Sequence, residues 1–145
     1  VSKAIKKADV VSGNVFNIHW LLKNGYPVKG KRLRLIVKGL WANLCNYLIP
    51  TAKTWNGHNA SGWKQDILRV NAFDERMQYG GEDREVGERM MNSGVKFLQI
   101  RYSAICVHLY HDRPYKNNEA ELQNLQIRTA TKQKKAKWTA FGIKK

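Results

Sequence analysis

Asn71-Ala72-Phe73-Asp74-Glu75-Arg76-Met77-Gln78-Tyr79-Gly80-Gly81-Glu82-Asp83 is the stretch on which the reading of this chain turns. Gly80 and Gly81 break the chain and, lacking a Cβ, let another molecule approach closely. They deliver two adjacent carboxylates to a helix start, where the positive end of the helix dipole favours negative charge. Glu82 and Asp83 are thereby suited to act as a general base or to bind a substrate hydroxyl. The same tetrapeptide is also ordinary acidic dressing of a helix N-terminus, and alone it does not choose.

Beyond it, Val86 and Met90 share one helical face, Glu85, Glu88 and Arg89 lie off it, and Asn92-Ser93-Gly94 closes the helix. Val95 to Ile100 and Ala104 to Val107 read as strands. From Asn118, with Glu121 as a capping-box partner, a polar helix runs toward Gln133; its weak stripe of Leu122 and Leu125 suggests that it lies across a surface. Before the motif come a short helix over Gln65 to Val70, a polar loop from Thr51 to Gly62, and a helix from Leu40 to Ile49 that Pro50 ends. Tyr26 to Val37 alternates apolar and basic residues as a strand broken by Gly30. Ser12-Gly13-Asn14 offers N-cap chemistry to a helix carrying Val15, Ile18 and Leu22, which Asn24-Gly25 stops. Helices alternating with short strands place the chain in the α/β or α+β class.

With 145 residues, 43% of them hydrophobic, and five Trp, the chain can build one domain with a core. Lys and Arg number 26 against 11 Asp and Glu; the resulting charge of +15 draws the protein toward nucleic acid, anionic lipid or diphosphate groups. No apolar run approaches the roughly 18 to 20 residues needed to cross a bilayer. Cys45 and Cys106 follow no metal-ligand spacing and no disulfide pattern, so reduced, partly buried thiols are expected. There is no glycine-rich phosphate loop, Cys-His zinc pattern or serine-nucleophile elbow.

Two further groups carry chemistry. Trp55, Asn56, His58, Asn59 and Trp63 combine flat apolar faces, which stack on sugar rings, with amides that bond hydroxyls, although tryptophans are also frequent core residues. His108 and His111 close an apolar run. On a strand, residues three apart face opposite sides, so both could meet one metal only if the chain bends after His108, as Asp112-Arg113-Pro114 would allow. One histidine joined by carboxylate and phosphate oxygens suits Mn²⁺ or Mg²⁺. Taken alone, two near-neighbour histidines are more often structural or incidental.

In their order, Asn59-Ala60-Ser61, Lys64-Gln65-Asp66, Asn71-Ala72-Phe73-Asp74-Glu75, Gly80-Gly81-Glu82-Asp83, Arg89-Met90-Met91-Asn92-Ser93-Gly94 and His108-Leu109-Tyr110-His111 resemble glycosyltransferase family 2 and the C-terminal region of galactosyltransferase-like enzymes. The likeness is strongest from Gly57 to Tyr115, and Ala72 stands where the family's "GFDE" has glycine. The resemblance implies the C-terminal, acceptor-side part of a GT-A fold, with a mixed sheet flanked by helices over residues 1–116 and a polar helix and basic tail over 117–145. It implies an inverting transfer from a nucleotide-diphospho-sugar to a glycan or lipid-linked acceptor in polysaccharide or surface-glycan synthesis. Asp83 would be the catalytic base, Glu82 would hold the acceptor, and Asn59, Trp63, Gly80, Gly81 and Trp55 would bind substrate. His108 or His111 would complete a Mn²⁺ or Mg²⁺ site with the donor diphosphate and an Asp-x-Asp motif. No Asp-x-Asp occurs in this chain, so a nucleotide-binding half is expected before Val1, and the chain alone is expected to be inactive.

The rival reading is a basic nucleic-acid-binding module, supported by the charge and by Lys132-Gln133-Lys134-Lys135-Ala136-Lys137. It leaves the ordered acidic and histidine motifs unexplained, and no specific nucleic acid is expected as a partner. A non-catalytic partner-binding domain is the third reading. The expected setting is cytoplasmic, peripheral at an anionic inner membrane face where lipid-linked acceptors reside.

Overall fold

The computed structural model describes residues 18–23, 25–107, 114 and 117–144. The chain divides into two compact units, one of residues 1–51 with 99–111 and one of residues 52–98 with 112–145.

The first unit contains α1 (Ile18–Lys23), α2 (Arg32–Ile36) and α3 (Gly39–Leu48). Its core is Leu21, Tyr26, Val28 and Leu35, with Trp20, Ile105 and Val107 packed against them. The end of α1 is closed by Tyr26 N–H donating to Leu21 O and Gly25 N–H to Leu22 O, a Schellman arrangement that needs the left-handed φ of 72° at Gly25. Asn46 on α3 donates to Ser103 Oγ at 2.7 Å and accepts from Tyr102 N–H at 2.9 Å, which ties the turn at 100–104 to the helix.

The second unit contains α4 (Lys64–Arg69), α5 (Glu82–Asn92) and α6 (Asn118–Gln133). Val70, Val86 and Met90 form its core, with Trp55, Ile67, Val95 and Phe97 packed around them. α4, α5 and α6 end in the same Schellman pattern, with Asn71, Gly94 and Lys135 in the left-handed position. No helix among the described residues is long and apolar enough to cross a membrane.

The expected α/β architecture is overturned: the structure is helical, and no strand or sheet occurs among the described residues. Within the supposed strand from Tyr26 to Val37, Gly30 takes a left-handed φ of 74°, Lys31 N–H bonds back to Val28 O, and Arg32 to Ile36 coil into α2. Val95 to Ile100 does alternate half-buried Val95, Phe97 and Gln99 with exposed Lys96, Leu98 and Ile100. That period of two puts Val95 and Phe97 against the core, but a strand also needs a ladder of hydrogen bonds to a neighbouring extended segment, and no such ladder is formed among the described residues. Ala104 to Val107 is likewise not a strand.

Two helix faces also differ from expectation. Glu85, Glu88 and Arg89 are buried on α5 together with Val86 and Met90, because α6 covers that side. α6 docks through Ala120, Asn124, Ile127 and Thr131, spaced four, three and four residues apart, while Leu122 and Leu125 point to solvent. Its N-cap is Asn117, whose Oδ1 accepts from Glu119 N–H at 2.9 Å. Cys45 is half-buried and Cys106 exposed, both free.

Candidate functional site

The acidic pair sits where the chain turns into α5. Gly80 and Gly81 have φ of 120° and 90°, a backbone path that side-chain-bearing residues rarely follow. The turn directs Gly80 N–H to Glu82 Oε2 at 2.7 Å, so Glu82 folds back over its own entry loop. Asp83 Oδ1 accepts from Arg84 N–H at 2.7 Å, and Asp83 Oδ2 accepts from Gly57 N–H at 2.8 Å. Each carboxylate oxygen thus has one backbone donor and keeps acceptor capacity for another hydrogen.

Gly57 belongs to the polar loop expected to carry function. Asn59 N–H donates to Asn56 O at 3.0 Å, a turn that holds Gly57 beside Asp83 and carries exposed His58 and Asn59. Trp55, ahead of this turn, is partly core. A Cβ on Gly87 would lie 2.5 Å from Trp55 Cβ and one on Gly62 would lie 2.9 Å from Trp55 Cζ3, so both glycines make room for this residue. The Trp55 ring is also 6.2 Å from that of Phe97. Trp63 stands 80% exposed at the start of α4, available to a flat ligand face.

α6 secures the other side of the glycine turn, which the sequence reading did not foresee. Asn124 Nδ2 donates to both Gln78 O and Gly80 O at 3.0 Å. A Cβ on Gly81 would come within 3.1 Å of Arg128 Cδ, a tight contact that would press on the Arg128 side chain, in addition to the strain at its positive φ. Arg128 Nη2 donates to Glu88 Oε1 at 2.6 Å, and Lys132 Nζ lies 3.3 Å from the same oxygen. The available sequence signal was the spacing of Ala120, Asn124, Ile127 and Thr131, outweighed in the reading by the leucines of the opposite face.

Beneath the site, Arg89 is fully buried and spans three groups. Its Nε lies 2.9 Å from Glu85 Oε1, its Nη2 donates to Glu85 Oε2 at 2.7 Å and to Ala72 O at 2.6 Å, and its Nη1 donates to Val70 O. Thr131 Oγ1 adds a bond to Glu85 Oε1 at 2.8 Å. These contacts fasten the Asn71 to Glu75 turn to α5. Asn71 and Ala72 both have left-handed φ, 66° and 56°, so Ala72 occupies a conformation in which glycine costs less. Within that turn Asp74 is buried and accepts from Arg76 Nη2 at 2.7 Å and Thr139 Oγ1 at 2.7 Å. Burial pushes its carboxyl upward, but the hydrogen bonds from Arg76 and Thr139 outweigh burial and hold it below the ordinary 3.8.

The structure therefore brings Glu82, Asp83, Gly80 and Gly81 together with the loop that carries Asn59. His108 and His111 lie outside the described residues. Among the described residues, no group of three or more His, Cys, Asp and Glu could hold a metal ion.

Residues 42–112, from the first turn of α3 through the acidic motif and α5, match the family described as the N-terminal domain of galactosyltransferase. That stretch is consistent with a galactosyltransferase-like glycosyltransferase region. The family is the one the motif order pointed to, although its description names an N-terminal domain where the sequence reading expected a C-terminal portion. No curated protein and no solved structure matches the chain. The galactosyltransferase-like region holds Asp83, Glu82 and Gly57, whereas Asn124 and Arg128, which secure the motif, fall beyond it.

Proposed function

We propose that this galactosyltransferase-like region is the acceptor-side part of an inverting glycosyltransferase that uses a nucleotide-diphospho-sugar, with Asp83 as the catalytic base. The acceptor would be a glycan or a lipid-linked sugar in polysaccharide or surface-glycan synthesis. The observation that carries this reading is the pair of backbone donors on Asp83, Gly57 N–H at 2.8 Å and Arg84 N–H at 2.7 Å, which orient the carboxylate while leaving it acceptor capacity.

In the proposed step Asp83 takes the acceptor hydroxyl proton as that oxygen attacks the anomeric carbon. The bond from that carbon to the diphosphate oxygen breaks, its electron pair leaves with the nucleoside diphosphate, and single displacement inverts the centre. Glu82, bent over Gly80, would hold the acceptor; Asn59, Trp63 and the half-buried Trp55 would bind sugar faces and hydroxyls. A Mn²⁺ or Mg²⁺ ion, if part of the site, would be held by His108 or His111 and would offset charge on the leaving diphosphate.

The test is transfer activity of the natural full-length protein carrying Asp83→Asn. A fall in kcat/KM of roughly 10² to 10⁴-fold with folding retained is expected for loss of a positioned base. Unchanged activity would replace this reading with a non-catalytic, partner-binding role.

A further inference from the structure

In α3 the more apolar side faces away from its core. The side turned inward carries buried Ala42 with half-buried Cys45, Asn46 and Ile49. The opposite stripe is Leu40, Trp41, Leu44, Tyr47 and Leu48, at i, i+1, i+4, i+7 and i+8, and every one of its residues is exposed. Leu40 and Tyr47 are 86% and 88% exposed, and Trp41 is 70% exposed. Leu33 and Ile36 of α2, in the same unit, are exposed as well. Single exposed leucines are ordinary; an unbroken stripe of five large apolar side chains along one helix is an interaction surface.

The charge of the surroundings selects the partner. The sequence holds no Asp or Glu between Asp9 and Asp66, and the unit containing α3 exposes Lys23, Lys29, Arg32 and Lys38. A second copy of the chain would bring these cations against their own kind. A surface rich in acidic lipid attracts them, takes Trp and Tyr rings at headgroup level and accepts leucines just below.

We propose that α3 is a membrane-interface helix: it lies on an anionic lipid surface with Leu40, Trp41, Leu44, Tyr47 and Leu48 among the headgroups, while Lys29, Arg32 and Lys38 supply the attraction. This gives the expected anionic membrane partner a specific docking face. It does not depend on Asp83 or on transfer chemistry, and it is read by sedimentation, so its failure is separate from failure of the proposed function.

The test is co-sedimentation of the full chain with phosphatidylcholine vesicles and with phosphatidylcholine–phosphatidylglycerol vesicles. Binding to the anionic vesicles alone, weakening with salt, is expected. Trp41→Ser with Tyr47→Ser should lower partitioning about tenfold or more, because two aromatic side chains lose their burial. Both side chains are exposed and off the core, so helix content measured by circular dichroism should be unchanged. Lys29→Glu with Lys38→Glu should abolish the preference for anionic lipid. Three results would overturn the proposal: equal binding to neutral vesicles, undiminished binding by the aromatic variant, or vesicle-free dimerisation that the aromatic substitutions abolish, which would assign the face to a second copy.

Discussion

The backbone N–H of Gly57 donates to Asp83 Oδ2 across 2.8 Å and joins the loop ahead of α4 to the first turn of α5. Asp83 therefore has a positional role that can be separated from its proposed chemical one. Asp83→Ala should free the loop, speed amide exchange at Gly57 and cost about 1 kcal/mol. Asp83→Asn retains an acceptor oxygen and should leave exchange near wild type while still abolishing base function. Hydrogen exchange over residues 52–63 of both variants, set beside their transfer rates, checks the separation.

Removing one member of the Arg89–Glu85 pair should be severe. Arg89→Met leaves the Glu85 carboxylate buried with only Thr131 as donor and strips Val70 O and Ala72 O of theirs. A loss of about 3 to 5 kcal/mol is expected, as for breaking a buried ion pair from one side. The double variant Arg89→Met with Glu85→Leu should be less damaging than the sum of the single changes, since no uncompensated charge remains. Urea denaturation of the three variants supplies the cycle.

Asn71 makes three of the hydrogen bonds that fasten residues 139–144. Asn71 Nδ2 donates to Thr139 O at 2.8 Å and Lys144 O at 3.0 Å, and Asn71 Oδ1 accepts from Lys144 N–H at 2.8 Å. Gly142 passes so close that an added Cβ would lie 1.7 Å from Asn71 O. Asn71→Ala should cost about 2 to 3 kcal/mol, and Gly142→Ala should detach residues 139–144 at smaller cost to the core. Limited proteolysis of the tail, compared with the denaturation midpoint, distinguishes the two.

Asp74 gives stability a pH dependence of known sign. Its folded carboxyl titrates below 3.8. Its contribution is therefore fully present above that unfolded value and is lost as pH falls through the lower, folded one. Asp74→Asn should destabilise the protein at neutral pH, and the difference from wild type should shrink as the solution is acidified below 3.8. Urea midpoints of both proteins across that range test it.

Much of the helical layout was legible because its signals are local. Gly25 and Gly94 fall where left-handed closures end α1 and α5, and Pro50 follows the end of α3 at Leu48. Asn71 and Lys135 serve the same closing role without glycine, so their sequence gives weaker notice. The glycine turn into Glu82 and Asp83 could be read for the same reason, since it needs only neighbouring residues. The strands failed because alternation in Val95 to Ile100 reports one half-buried side of an extended chain and says nothing about a pairing neighbour.

From the sequence alone came the acidic pair at a helix start, the positions of most helices and the family's motif order, because capping, turn chemistry and helical periodicity act over a few residues. Only the tertiary structure decided that Gly57 meets Asp83, that α6 packs its Asn124 and Thr131 side inward, and that Arg89 is buried against Glu85. Those arrangements depend on buried polar groups finding partners far along the chain, which local patterns do not encode. The same nonlocal packing left the apolar stripe of α3 facing outward.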